Sequence, residues 1–83
     1  MPVTVKYRAH LATLTGTATE EIEAATVKDV LRHVKTRFGT DAEKQAKVML
    51  IAVNGKTILQ LSGFKTALGS GDEVCFFPIC GGG

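Results

Sequence analysis

Three consecutive glycines, Gly81, Gly82 and Gly83, stand at the end of the sequence behind the apolar run Val74, Cys75, Phe76 and Phe77 and the single Pro78. A carboxylate on a terminal glycine can be activated, joined to another group and released. With no Cβ atoms behind it, it can also thread a channel too narrow for other residues. Such a carboxyl has an ordinary pKa of about 3.3 to 3.7, so at neutral pH it is an anion and a poor electrophile. Its chemistry therefore needs an activating partner. The expected organisation is one folded domain over residues 1–78 and a tail over 79–83 built to enter another protein's active site.

The remaining reactive residues fall short of a self-sufficient active site. His10 and His33 are the only histidines, and neither has a carboxylate or nucleophile at a readable spacing, so both are expected at the surface. Cys75 and Cys80 lie about 16 Å apart if the intervening chain is extended, against a limit of about 7 Å between the Cα atoms of a disulfide. They have no CxxC spacing and are expected as reduced thiols, with no metal site. Cys80 beside the tail is read as incidental. Gly69-Ser70-Gly71 reads as a turn and not a phosphate cradle, since no helix signal opens behind it. The stripe of Lys28, Arg32 and Lys35 is expected to be a solvated helix face able to steer an acidic partner. Phe77, at the base of the tail, is the expected interface anchor, and Pro78 and Arg8 are also expected to face a partner.

The elements that must position these residues follow from periodicity and turn chemistry. Eighty-three residues, 45% hydrophobic and 22% charged, suit one globular domain too small for a deep substrate cavity. A net charge of +2 is too weak to argue for nucleic acid, and the longest apolar run, Val48 to Val53, is far too short for a bilayer. The opening alternation of apolar and polar residues is no signal peptide, so a cytoplasmic location is expected. Val3, Val5 and Tyr7 alternate with Thr4, Lys6 and Arg8 as a strand, and a turn at Gly16 leads to a second strand over Thr17 to Ala24, forming a hairpin. Thr26 and Asp29 make a capping-box-like pair for a helix that ends at Gly39 and buries Val27, Val30, Leu31, Val34 and Phe38. Thr40 to Lys47 is polar, with room for a further helical turn. Val48 to Val53 predicts a central strand, Asn54-Gly55 a type I′ turn, and Lys56 to Leu61 a short returning strand. Ser62 to Ser70 predicts a loop, Gly71-Asp72 a turn, and Glu73 to Phe77 the last strand.

The fold class is thus α+β, a mixed sheet of about five strands on one main helix, with the last strand running into the tail: the β-grasp arrangement that ubiquitin also uses. The stretch from Leu68 to Pro78, followed five residues on by Gly83, resembles the MoaD-like small subunit of molybdopterin synthase and, more distantly, the ThiS-like sulfur carriers. Phe76, Phe77 and Pro78 fit the family's apolar pair and first proline, and Gly82-Gly83 fall in register. Ile79 replaces the second proline, and Gly81 extends the glycine pair to three. The resemblance implies a non-catalytic carrier that binds no cofactor of its own. A ubiquitin-activating-type enzyme would use ATP to adenylate Gly83, a persulfide donor would convert it to a thiocarboxylate, and the large synthase subunit would use that sulfur in molybdopterin. Three further readings stay open: a ubiquitin-like modifier and a carrier for thiamine or tRNA thiolation, both working through Gly83, and a docking module that would function without Gly82 and Gly83. The polar outward positions Thr4, Lys6 and Arg8 keep the modifier in view.

Overall fold

A computed structural model describes residues 2–78. Val3 and Val5 alternate with Thr4 and Lys6 in β1 (Pro2–Lys6) and point into the core. The chain does not turn straight back as the hairpin reading expects. Ala9–Thr15 forms a short helix, α1, whose Leu11 and Thr15, four residues apart, share a buried face. Gly16, left-handed at φ 75°, ends it by donating its N–H to the Ala12 carbonyl 2.9 Å away. His10 therefore sits on this helix. The next strand, β2 (Thr19–Glu23), begins two residues later than expected, yet it does pair antiparallel with β1, Val3 opposite Ile22 and Val5 opposite Glu20.

The capping box is formed as the sequence predicts. The Thr26 hydroxyl accepts from the Asp29 amide at 3.2 Å, and the Asp29 carboxylate accepts from the amides of Ala25 and Thr26, starting α2 (Val27–Phe38). Val27, Val30, Leu31 and Val34 are buried, whereas Phe38 is only half-buried. The polar stretch behind it is a full helix, α3 (Thr40–Lys47), burying Ala42 and Ala46 against α1 and α2. Two alanines four apart allow close helix approach without any bulky periodic signal.

The run expected as the central strand divides between three environments. Val48 is 62% exposed at the end of α3, Met49 is buried, and β3 (Leu50–Val53) starts only at Leu50. Asn54 and Gly55 take φ values of 52° and 86°, matching a type I′ turn, and β4 is Lys56–Thr57 alone. Ile58 then drops into the core as the chain enters a 3-10 turn (Ile58–Gln60), which ends the expected strand early. A second 3-10 turn, Gly63–Lys65, interrupts the following loop. The last strand, β5 (Glu73–Phe77), is where the sequence places it.

The sheet order is β2-β1-β5-β3-β4, so β5 is the central strand and β3 lies beside it. β5 runs parallel to β1 and antiparallel to β3. Its ladder is occupied on both edges, which explains why Val74 and Phe76 are wholly buried. The helices cover one face, and the core lies between them and the inward residues of β1, β3 and β5. This is a β-grasp fold with three helices among the described residues, where one main helix was expected.

Candidate functional site

The chain leaves the sheet at the end of β5, and the parallel pairing with β1 decides what stands there. Thr4 lies opposite Glu73 and Lys6 opposite Cys75, and continuing that register sets Arg8 beside Phe77. The Arg8 guanidinium carbon lies 5.5 Å from the centre of the Phe77 ring. A cation over an aromatic face at an exposed position contributes about 0.5–1 kcal/mol. On the other edge of β5, Leu50 pairs directly opposite Phe77. Phe77 is half-buried and Pro78, the next residue, is exposed. Arg8, Phe77 and Pro78, the expected partner-facing residues, are thus brought to one corner of the outer sheet face. Gly81, Gly82, Gly83 and Cys80 lie outside the described residues.

Away from that corner the outer face changes character. Ala52 and the free thiol Cys75 face outward by alternation and lie side by side in the ladder, yet both are nearly covered. Lys6 pairs with Glu73 at 3.2 Å on the neighbouring row. The face therefore has an apolar corner around Leu50 and Phe77 and a charged flank along β1. Leu50 escaped the sequence reading because it is hidden inside a continuous apolar run that conceals which residues face outward; the alternation of β3 against β5 would have exposed it.

The base of β5 is fixed by Asn54 and Asp72. Asn54 donates through Nδ2 to Asp72 at 3.0 Å and accepts the Glu73 amide at 2.9 Å, while the Gly69 amide donates to Asp72 at 2.7 Å. The Gly69 amide first, and the Asn54 side chain second, hold the Asp72 carboxyl below its usual range. The Gly71 amide donates to the Pro2 carbonyl. The amides of Gly69 and Gly71 are thereby committed to the fold, in keeping with a turn.

On the helical face, Glu20 accepts from the Tyr7 hydroxyl at 2.9 Å and stands 2.8 Å from His33 Nε2 and 3.1 Å from the Arg37 guanidinium. The Glu20 side chain is 10% exposed. Burial, and then the hydrogen bond to Glu20, push the Tyr7 phenol well above its ordinary pKa. This corrects the surface reading of His33, which is held against Glu20, whereas His10 is exposed as expected. Sequence spacing missed the cluster because its members come from β2, α2 and the residue after β1. Its interactions close on one another and pin the strands to the helix.

A profile of the ThiS family matches residues 5–83. The chain belongs to the ThiS family. Solved structures agree with that membership. Small archaeal modifier protein 1 from Methanosarcina acetivorans superposes with a TM-score of 0.86 at 25% identity, covering 99% of this chain and 96% of that one. A putative molybdopterin converting factor, subunit 1, from Pyrococcus furiosus gives 0.72 at 30% identity over 94% and 97%. The BexX/CysO complex from Amycolatopsis orientalis gives 0.82 at 25% over 98% and 99%. No curated protein matches the sequence significantly. These solved relatives share the ubiquitin-like fold, and the CysO structure is of a complex with BexX. Among the described residues no helix is long and apolar enough to cross a membrane.

Proposed function

We propose that this ThiS-family chain is a sulfur carrier whose Gly83 carboxylate becomes a thiocarboxylate for molybdopterin assembly. The observation that carries the proposal is the corner where Arg8, Phe77 and Leu50 surround the exit of β5. It offers a docking platform at the root of a tail whose five residues beyond Pro78 span at most about 18 Å. An adenylating enzyme of the ubiquitin-activating type would bind this platform and use ATP. The Gly83 carboxylate attacks the α-phosphorus, pyrophosphate leaves, and a mixed anhydride with AMP results. The terminal sulfur of a persulfide then attacks the carbonyl and AMP departs. A second thiol on the donor cleaves the remaining S–S bond, leaving a disulfide on the donor and the thiocarboxylate on Gly83. The large synthase subunit would take up the loaded tail. The carrier itself supplies no acid, base or cofactor to these steps. The likeness to the P. furiosus protein at 30% identity supports this pathway.

A second reading, conjugation of Gly83 to lysines of other proteins, is favoured by the closer superposition on the archaeal modifier. Intact-mass spectrometry of protein isolated from its host without reductant separates the two. A gain of about 16 Da, one oxygen replaced by sulfur, that vanishes when Gly83 is deleted is the expected result. Conjugates linked through Gly83 with no thiocarboxylate would overturn the carrier reading. A carrier whose loading persists when pterin synthesis is blocked, and which restores thiamine or tRNA thiolation instead, would overturn the molybdopterin assignment.

A further inference from the structure

The excess positive charge of this chain is not spread over its surface. A groove of about 490 Å³ runs between α2, α3 and the Gly63–Lys65 turn. Lys28, Arg32 and Lys35 line one wall from successive turns of α2, a stripe of roughly 10 Å at helical rise. Lys47 of α3 and Lys65 of the turn complete the rim. Five of the ten basic residues therefore face this groove beside one acid, Glu43, while the rest of the chain holds five basic and seven acidic residues. The net +2 of the whole is a groove of +4 on a body of −2. Glu43 lies 3.8 Å from Lys47, and Arg32 lies 3.6 Å from Asp29. Among the described residues Lys28, Lys35 and Lys65 have no acidic partner. Beneath these cations the groove is apolar: Leu31 forms part of its lining, and Phe64 is 43% exposed.

We propose that this groove is a docking site for a short acidic peptide segment of a protein partner, one that places an apolar side chain against Phe64 between carboxylates on either side. The charge pattern steers and orients the segment, and the aromatic ring supplies the anchor. Three to four residues of extended peptide match the length of the α2 stripe at strand rise. A nucleic-acid strand fits less well, because Phe64 is a single ring where such grooves offer successive stacking platforms. The groove opens on the helical layer, on the other side of the sheet from Phe77, so a partner held there leaves the tail corner free. The proposal is independent of the sulfur-carrier reading.

The test is an amide NMR titration of the full chain with an end-blocked peptide of glutamates flanking one central phenylalanine, at low salt. Expected are shifts concentrated on residues 28–35, Lys47 and residues 63–65, at least about tenfold weaker binding of a peptide with glutamine for glutamate, and a similar loss in Arg32→Glu/Lys65→Glu. Shifts centred elsewhere, equal binding of the glutamine peptide, or no binding at millimolar peptide would each overturn the proposal. So would tighter binding of ATP or an oligonucleotide to the same residues. Should the double variant unfold, the wild-type shift map and the glutamine peptide decide the matter alone.

Discussion

Replacing Tyr7 by phenylalanine removes one oxygen from the core and nothing else, which makes it a clean probe of the Glu20 cluster. The lost bond, 2.9 Å long, runs from a buried hydroxyl to a carboxylate. Hydrogen bonds to charged groups contribute about 1.5–3 kcal/mol, but Glu20 keeps His33 and Arg37. The ring also keeps its stack on Phe76 at 6.0 Å and its edge contact with Phe38 at 5.8 Å. A loss of about 1–2 kcal/mol is therefore expected, lowering the melting temperature by about 5–15 °C for a domain of this size. The pH dependence is the sharper readout. A phenol whose folded pKa is raised stays protonated in the native state while the unfolded chain ionises near pH 10. Its contribution is complete below that value and declines as pH rises. Between pH 9 and 11 the advantage of the wild type over Tyr7→Phe should shrink by about 1.4 kcal/mol in urea denaturation. Two parallel stability curves across that interval would refute the account of Tyr7 as a buried donor to Glu20.

Four further outcomes are expected. Deleting Gly83, or Gly82→Val, should leave the melting curve unchanged and abolish ATP–pyrophosphate exchange with the activating enzyme; exchange at the wild-type rate would remove the tail from the mechanism. Phe77→Ala should cost under about 1 kcal/mol in stability, since the residue is half-buried, yet weaken partner binding about thirtyfold by calorimetry, as loss of an anchor of about 2 kcal/mol requires. Asn54→Ala forfeits two hydrogen bonds and a left-handed backbone position, φ 52°, and should destabilise by about 1–3 kcal/mol in denaturant titration. Asp72, its carboxyl held below the usual range, stabilises above the ordinary carboxylate pKa and loses that contribution as pH falls, so Asp72→Asn should flatten the acid limb of the stability profile.

The parts of this fold visible in the sequence are those with a local cause. Thr26 and Asp29 are three residues apart, and their capping box needs nothing beyond α2 to form. Asn54-Gly55 accepts positive φ at both positions by its own chemistry. α1 escaped reading, and α3 was legible only as room for a helical turn over Thr40 to Lys47, because their buried positions are Thr15, Ala42 and Ala46 with a single Leu11, too small or polar to make a bulky period. The centre of the sheet could not be read from Val48 to Val53, because strand order is a matter of distant pairing and β5 reaches β1 from the other end of the chain. The candidate site was legible at Phe77 and Pro78 through their place before the glycines. Leu50 and the seat of Arg8 over the ring needed the register between strands.

The central place of β5 also has a mechanical consequence. Whatever grips residues 79–83 and pulls does so on a strand bonded lengthwise to β1 on one edge and β3 on the other. Tension along that strand loads both ladders in shear, so their hydrogen bonds must yield together and not one after another. An unfolding machine that seized this tail would meet the hardest element of the molecule first. A partner could therefore tug the tail through a narrow channel, and withdraw, without unravelling the domain behind it.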